Sequence, residues 1–232
     1  MDCERLMPLA AGRKTDDGGS VAPSSAYRLS PGRLLKRTCV MARLIIMGPP
    51  GSGKGTQAEV IARHFSIPAI STGDLFRAHV RDKTELGAEA GEYMDRGEFV
   101  PDHVTTAMLR QRLEDADTGN GFLLDGYPRN VIQIGALDEI LAAKQQALEV
   151  VLVLTVEDAE LVARMLQRAQ EQGRSDDTEP VIQRRLELYR DETQPVVTAY
   201  SQRGILLMVD GSGDRESITA AAIAAVEKAL AA

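Results

Sequence analysis

Short aliphatic runs alternate with longer segments of helical periodicity from residue 41 to the C-terminus. The aliphatic runs predict five β-strands, at residues 44–47, 68–70, 122–124, 150–156 and 205–209. The other segments predict helices, at residues 56–65, 72–80, 86–96, 102–114, 131–145, 158–168, 181–202 and 215–230. Apolar strands joined by helices are typical of a parallel sheet covered on both faces. The pattern therefore predicts an α/β fold with a five-stranded parallel sheet, which binds ligands at the carboxyl ends of its strands.

Residues 1–40 lack this periodicity and are rich in Gly, Ser, Pro and Arg. They offer little apolar surface to offset the entropy of ordering, so we expect a disordered N-terminal extension. Because Met41 opens a compact strand-first segment, a start at Met41 is the second possibility.

The composition is that of an ordinary globular protein, with 44% hydrophobic and 26% charged residues in a chain of 232. A net charge of −7 argues against a nucleic-acid partner held by charge alone. Cys3 and Cys39 supply neither a disulfide framework nor a four-cysteine zinc site, and a reducing cytoplasm is the expected setting. The sequence contains no apolar run of the roughly 18 residues that a membrane-spanning helix needs.

A glycine-rich segment at residues 48–56, reading GPPGSGKGT, follows the first predicted strand. Its glycines allow successive backbone N–H groups to turn inward around an anion, and Lys54 adds a full charge beside the N-terminus of the next helix. Gly55 stands where such loops usually have Ser or Thr, which argues against direct ligation of Mg²⁺ by a hydroxyl. The segment predicts a phosphate-binding loop, and the alternative is a strand-to-helix turn with a chance lysine.

Two further predicted strands end in polar residues. Ser71 or Thr72 is placed to cap the next helix, with Arg77 one turn inside it, although capping and solvation alone also explain this group. Asp125 is suited to hold Mg²⁺ or its waters beside phosphates, and Arg129 is suited to a bidentate phosphate contact. The alternative for this pair is a turn aspartate with a surface arginine.

Several arginines follow the fourth predicted strand. Like charges this close repel each other unless an anion lies between them, so the group indicates an anionic ligand, and a solvated arginine surface is the alternative. The segment at residues 170–177 within this region is suited to act as a mobile lid. The arginines are Arg164, Arg168, Arg174, Arg184 and Arg185.

Phosphoryl transfer needs positioning and charge neutralisation more than covalent help, and the loop, lysine, acid and arginines supply both. The sequence has no competing Ser-His-Asp set, and His64, His79 and His103 are isolated. An acceptor that is itself a phosphate needs no general base, which agrees with the shortage of candidate bases.

Five motifs occur in the order GPPGSGKGTQ, STGDLFR, FVPD, LDGYPRN and GRSDD. With these motifs the chain from residue 41 to 232 resembles the adenylate kinases of the bacterial type with a short lid. The resemblance implies a P-loop NTPase fold, an AMP-binding insertion at about residues 71–100 and a lid at about 168–178, both mobile. It also implies reversible, Mg²⁺-dependent conversion of ATP and AMP into two ADP. Long-lid relatives carry lid cysteines, which this chain lacks, so no structural zinc is expected.

The resemblance further implies roles for individual residues. ATP would contact Gly51, Ser52, Gly53, Lys54, Gly55, Thr56, Arg164, Arg168 and the backbone near Gly213. AMP would contact Thr72, Arg77, Glu98, Phe99, Val100, Gly126, Tyr127, Pro128, Arg129 and Gln133. Arg174 and Arg185 would bridge towards AMP and the transferred group, and Asp125 would hold Mg²⁺ through water. The catalytic set would then be Lys54, Arg129, Arg168, Arg174 and Arg185.

Two alternatives stay open at this point. UMP/CMP kinases share the loop and a similar turn, but Thr72 and Gln133 favour AMP. A nucleotide-binding switch protein would carry an Asn-Lys-x-Asp motif, which is absent. The sequence is therefore interpreted as a monomeric, cytoplasmic kinase of nucleotide biosynthesis with ATP, AMP and ADP as partners.

Overall fold

The computed structural model describes residues 41–172 and 178–232, so the predicted extension at 1–40, and residues 173–177 of the predicted lid with Arg174, lie outside it. The strands are β1 (Ala42–Met47), β2 (Ala69–Ser71), β3 (Gly121–Asp125), β4 (Val150–Thr155) and β5 (Leu206–Asp210). The helices are α1 (Lys54–Phe65), α2 (Thr72–Arg81), α3 (Glu85–Asp95), α4 (Asp102–Arg112), α5 (Val131–Ala142), α6 (Asp158–Gln172), α7 (Glu179–Leu188), α8 (Gln194–Gln202) and α9 (Arg215–Leu230). A 3₁₀ turn occupies Ala116–Thr118, and a π turn occupies Tyr189–Thr193.

The five strands form one parallel sheet in the order β2-β3-β1-β4-β5. In the central strand, Ile45 lies opposite Leu124 of β3 and Val151 of β4. Because all strands run the same way, the residues that follow β1, β2 and β3 emerge at a single edge. The predicted fold class is confirmed.

The sheet is buried on both faces because adjacent residues of its strands enter different cores. Ile45 and Met47 of β1 pack with side chains of α4, α5 and α8. Leu44 and Ile46 of the same strand pack with α1 and α9. Each such side chain contributes about 1.5–3 kcal/mol when it leaves water, which is why the strands are apolar throughout rather than alternating.

Among the described helices, four are shown to begin with a polar side chain that accepts a hydrogen bond from a first-turn N–H group. These caps are Ser71 for α2, Thr84 for α3, Asn130 for α5 and Asp214 for α9. A cap of this kind is worth about 1 kcal/mol. The helix boundaries at these points follow from local sequence.

The single helix predicted at 181–202 is wrong in one respect, because a π turn separates α7 from α8. The N–H of Gln194 donates to the carbonyl of Tyr189, five residues earlier. Pro195 explains the change, since it has no N–H for the carbonyl of Asp191 and its ring would collide with that carbonyl in an α-helix. The helix takes up one extra residue in this turn and then continues as α8.

Two smaller apolar clusters lie outside the two main cores. Phe76, Val100, Val104 and Met108 are among the residues that join α2, α3 and α4. The second cluster joins α6 to α7 through Leu161, Met165, Ile182 and Leu186. Within the described residues, no helix has the length and apolar character needed to cross a bilayer.

Candidate active site

A cleft of about 1030 Å³ opens at the carboxyl edge of the sheet. Its floor is made by the loop after β1 and by the turn after β3, and α2, α6 and α7 supply its walls. This is where parallel sheets bind ligands, because the strand ends and helix N-termini converge there. The cleft is large enough for ligands of nucleotide size.

The loop after β1 presents backbone N–H groups rather than side chains. Gly51 and Gly53 have φ values of 84° and 83°, a region open to glycine and strained for other residues. Gly53 is the N-cap of α1, where neither a capping side chain nor a first-turn acid is present. The N-terminal N–H groups of α1 are therefore available to an anionic ligand.

Lys54 begins α1 and lines the cleft, with its Nζ donating to the carbonyl of Pro49 at 3.3 Å. Burial lowers the pKa of Lys54 to about 8, while the carboxylate of Asp125 raises it and the guanidinium of Arg129 lowers it. A lysine that is partly desolvated and surrounded by other cations gains most from a polyanion. Its surroundings therefore favour phosphate binding.

Asp125 ends β3 directly beside this loop. One carboxylate oxygen, Oδ2, lies 3.4 Å from the point where a Cβ on Gly55 would stand, an ordinary van der Waals distance, so the carboxylate lies beside the loop. The other oxygen, Oδ1, is buried without a hydrogen-bond partner among the described residues. Burial raises the pKa of Asp125, and Lys54 opposes that effect. A buried oxygen donor that lacks a partner beside a phosphate loop fits Mg²⁺ or one of its water ligands.

The turn after β3 is tied to α2. The Thr72 hydroxyl donates to the Gly126 carbonyl at 3.0 Å, and the Arg129 Nε donates to the same carbonyl at 2.8 Å. The Arg129 guanidinium lies over the Phe99 ring, with its carbon 5.1 Å from the ring centroid. Burial lowers the pKa of Arg129 to about 10, while Asp125 raises it and Arg185 lowers it. A second desolvated cation thus faces the cleft across from Lys54.

Gln133 forms hydrogen bonds that hold the turn after β3 in place. It is buried, its Oε1 accepts from the Arg129 N–H at 2.8 Å, and its Nε2 donates to Asp102 Oδ1 at 2.7 Å. The Asn130 amide donates to the same Asp102 oxygen at 2.9 Å. The side chain predicted to read adenine also joins the backbone of Arg129 to α4.

The opposite wall is organised by α6. Arg164 donates to the Gly211 carbonyl at 3.1 Å and pairs with Glu160, one turn earlier. This bond places the Arg164 guanidinium beside the loop that leads to α9, where Gly213 lies. Arg168 lines the same cleft one turn further on.

Most of the predicted site residues line this one cleft. They are Gly51, Gly53, Lys54, Gly55, Thr56, Thr72, Arg77, Glu98, Phe99, Val100, Asp125, Gly126, Tyr127, Pro128, Arg129, Gln133, Arg164, Arg168 and Arg185. Ser52 is buried beneath the loop, Gly213 is exposed outside the lining, and Arg174 lies outside the described residues. Arg77 pairs with Asp74 at the rim.

Three residues that sequence reasoning did not single out belong to this region. Asp102 holds Gln133 and Asn130, Thr193 of the π turn donates to the Arg129 carbonyl, and Arg215 at the start of α9 lines the cleft. Asp102 stands in the FVPD motif, which was a signal for it. No local signal marks Thr193 or Arg215, because their positions depend on how distant helices pack.

Comparison with known proteins agrees with this geometry. The profile of the family described as Adenylate kinase matches residues 46–205. An adenylate kinase of Pseudarthrobacter chlorophenolicus is 55% identical over 192 residues, which cover 83% of this chain and 100% of the relative. One from Kocuria rhizophila is 55% identical over 81% of this chain and 100% of the relative, and one from Nocardioides sp. is 56% identical over 77% and 93% respectively. Because the family profile covers more than half of the chain and these relatives are matched over nearly their whole length, the chain belongs to the adenylate kinase family.

Proposed function

We propose that the cleft binds ATP on the loop between β1 and α1, and AMP between α2 and the turn after β3. The chain is an adenylate kinase, and its reaction is the reversible conversion of ATP and AMP into two ADP. The observation that carries the subsite assignment is that two desolvated cations, Lys54 and Arg129, line one cleft with the buried carboxylate of Asp125. Two phosphate-bearing ligands brought to these cations would meet at Asp125.

The donor subsite uses backbone and charge. The loop residues Gly51, Gly53 and Gly55 with Thr56 supply N–H groups around the phosphates of ATP, and Lys54 neutralises charge as the phosphoryl group moves. Arg164 stacks on the base, since its bond to Gly211 holds it beside the loop at Gly213. Ser52 contributes through its backbone, because its side chain is buried.

The acceptor subsite uses side chains held by a hydrogen-bonded turn. Arg129 contacts the phosphate of AMP, and Arg77 joins it when its rim pair with Asp74 opens to the ligand. Thr72 and Gln133 approach the base, with the backbone of residues 98–100 beside it. Because a phosphate oxygen is already a nucleophile, no general base is needed.

Mg²⁺ is the metal that this donor set fits, with Asp125 as its protein anchor through water. When bound with ATP, the ion neutralises charge on the phosphates and orients them for transfer. Burial raises the pKa of Asp125, while Lys54 and Arg129 oppose that effect and favour the ionised carboxylate that the metal would need.

Residues 71–100 are proposed as an AMP-binding insertion, and about 168–178 as a short lid within the catalytic domain at 41–232. Support comes from packing, since α2 and α3 rest on an apolar cluster separate from the sheet cores. Only six residues separate the end of α6 from the start of α7. Closure of both segments excludes water and so suppresses ATP hydrolysis, with Arg168, Arg174 and Arg185 brought onto the phosphates. A lid segment without cysteine has no means to hold structural zinc by thiolates.

The protein is further proposed to act as a monomer in the cytoplasm. Its two cysteines suit a reducing compartment. The large apolar side chains exposed on the described surface are spread over several elements rather than gathered in one patch. They are Met41, Val80, Val131, Ile132, Leu166 and Met208.

Acceptor choice is tested by a coupled assay of ADP formation from Mg·ATP, with AMP, CMP, UMP and GMP offered separately. Strong turnover with AMP alone is expected. A preference for CMP or UMP would overturn the roles given to Thr72 and Gln133 and leave Lys54 in place.

Subsite assignment is tested by paired variants. Arg129→Ala is expected to raise KM for AMP about 10- to 100-fold, since a hydrogen bond to a charged group is worth about 1.5–3 kcal/mol. Arg164→Ala is expected to raise KM for ATP instead. Arg203→Ala is the matched control, because Arg203 pairs with Asp138 on the surface outside the cleft. An effect of Arg129→Ala confined to ATP would contradict the assignment.

A further inference from the structure

Thr193, in a distant part of the chain, makes a hydrogen bond to the turn after β3 at residues 126–130, which we call the acceptor turn. It ends the π turn, is buried, and donates its hydroxyl to the Arg129 carbonyl at 2.9 Å. It also lines the cleft. Thr193 therefore reaches the site through the backbone of Arg129 rather than through a side-chain pair.

The backbone of Arg129 is held by side chains on both sides. Gln133 accepts its N–H at 2.8 Å, and Thr193 donates to its carbonyl. The guanidinium is held separately, by the Gly126 carbonyl and the Phe99 ring. The Thr193 hydroxyl therefore contacts the backbone of Arg129 and none of the groups that hold its guanidinium.

The π turn explains how Thr193 faces this site. Arg185 of α7 also lines the cleft, eight residues earlier. Eight residues of ideal α-helix amount to about 800°, which would leave Thr193 about 80° away from the face of Arg185. Because the π turn contains one extra residue, the rotation from Arg185 to Thr193 corresponds to seven α-helical residues. Seven residues amount to about 700°, which is only about 20° short of two full turns. The widened turn thus brings both side chains to the cleft.

We propose that Thr193, presented by the π turn that Pro195 imposes, is a positioning residue that fixes the backbone of Arg129 for the phosphate of AMP. Arg185 and Thr193 then lie on one helical face, so the helix that presents Arg185 to the phosphoryl-transfer side of the cleft also holds the acceptor turn. The inference rests on the proposed placement of AMP at Arg129.

The test compares Thr193→Val, which removes the hydroxyl at nearly constant volume, with Thr193→Ser, which keeps it. Thr193→Val is expected to lower kcat/KM for AMP about tenfold, the equivalent of one hydrogen bond of about 1.4 kcal/mol, with KM for ATP unchanged. Thr193→Ser is expected to restore most of the loss. Thr198→Val is the matched control, because Thr198 is exposed on α8 and its hydroxyl donates to the Gln194 carbonyl at 3.4 Å, away from the cleft.

A loss that falls equally on AMP and ATP, or that Thr193→Ser fails to restore, would show a merely structural role and overturn the proposal. If Thr193→Val does not fold, Thr193→Ala against Thr193→Ser isolates the hydroxyl in the same way. Pro195→Ala restores the missing backbone donor, and we expect the same selective loss for AMP as Thr193 rotates away. A normal KM for AMP in that variant would overturn the part played by the π turn. Failure of the proposed placement of AMP would show differently, as a normal KM for AMP in Arg129→Ala.

Discussion

Two buried tyrosines differ in what their hydroxyl groups contact, and this difference predicts opposite effects of the same substitution. Tyr200 of α8 is 0% exposed, and its hydroxyl has no hydrogen-bond partner among the described residues. Tyr127 of the acceptor turn is 1% exposed, and its hydroxyl lies 3.1 Å from the hydroxyl of Thr106. Both rings belong to the same apolar core.

The expected magnitudes follow from these contacts. A buried polar group without a partner costs about 1–3 kcal/mol in lost hydration, so Tyr200→Phe removes that cost at the expense of a small gap. We expect the free energy of unfolding to rise by about 1 kcal/mol, or Tm by about 2–4 °C. Tyr127→Phe loses a satisfied hydrogen bond and is expected to lower the free energy of unfolding by about 1 kcal/mol.

Urea unfolding at pH 7 measures the free energy of unfolding, and an unchanged slope against urea keeps the comparison valid. The two variants are expected to differ by about 2 kcal/mol, with the wild type between them. Only Tyr127→Phe is expected to weaken AMP use, since it loosens the turn that carries Arg129. If Tyr200→Phe destabilises the protein as much as Tyr127→Phe, burial of the Tyr200 hydroxyl carries no cost and the predicted difference is refuted.

Three further predictions concern backbone and charge. Lys54→Ala should lower kcat at least about 100-fold in a coupled ADP assay through lost charge stabilisation, and near-normal turnover would remove Lys54 from the mechanism. Gly87→Ala should destabilise the protein in thermal unfolding, because the added Cβ would stand 2.1 Å from the His79 carbonyl oxygen. Its control on the same helix, Gly91→Ala, meets only a Val80 methyl at 3.6 Å and should stabilise by up to about 1 kcal/mol; equal effects would contradict the packing of α2 on α3. Gln145→Gly should raise the free energy of unfolding by about 1 kcal/mol, because Gln145 has a φ of 56° just after α5, and a loss would show that its side chain is needed.

Much of the fold could be predicted from the sequence because its strands and helix starts depend on neighbours in the chain. The apolar runs of β1, β3 and β4 are buried in the middle of the sheet, and capping residues such as Ser71 and Asn130 mark helix starts directly. The strands β2 and β5 each lie one residue later than predicted, because the pairing partner decides where a ladder begins and stops.

Part of the candidate site could likewise be predicted from the sequence, and part could not. The loop with Lys54 and the turn with Asp125 and Arg129 are short segments whose spacing alone indicates phosphate chemistry, and the structure brings them together as expected. The residues that position them could not be predicted from spacing. Asp102 reaches Gln133 across 31 residues, and Thr193 reaches Arg129 across 64.

The sequence by itself determined most of the elements, the sheet type and the segments proposed to bind phosphate, because each depends on periodicity or on a few adjacent residues. Only the tertiary structure decided that the Tyr200 hydroxyl is buried without a described partner and that α7 passes into α8 through a π turn. It alone decided, too, that Thr193 faces the acceptor turn. Such features depend on which distant helices meet, and one added residue of helical rotation is enough to decide whether a side chain enters the cleft.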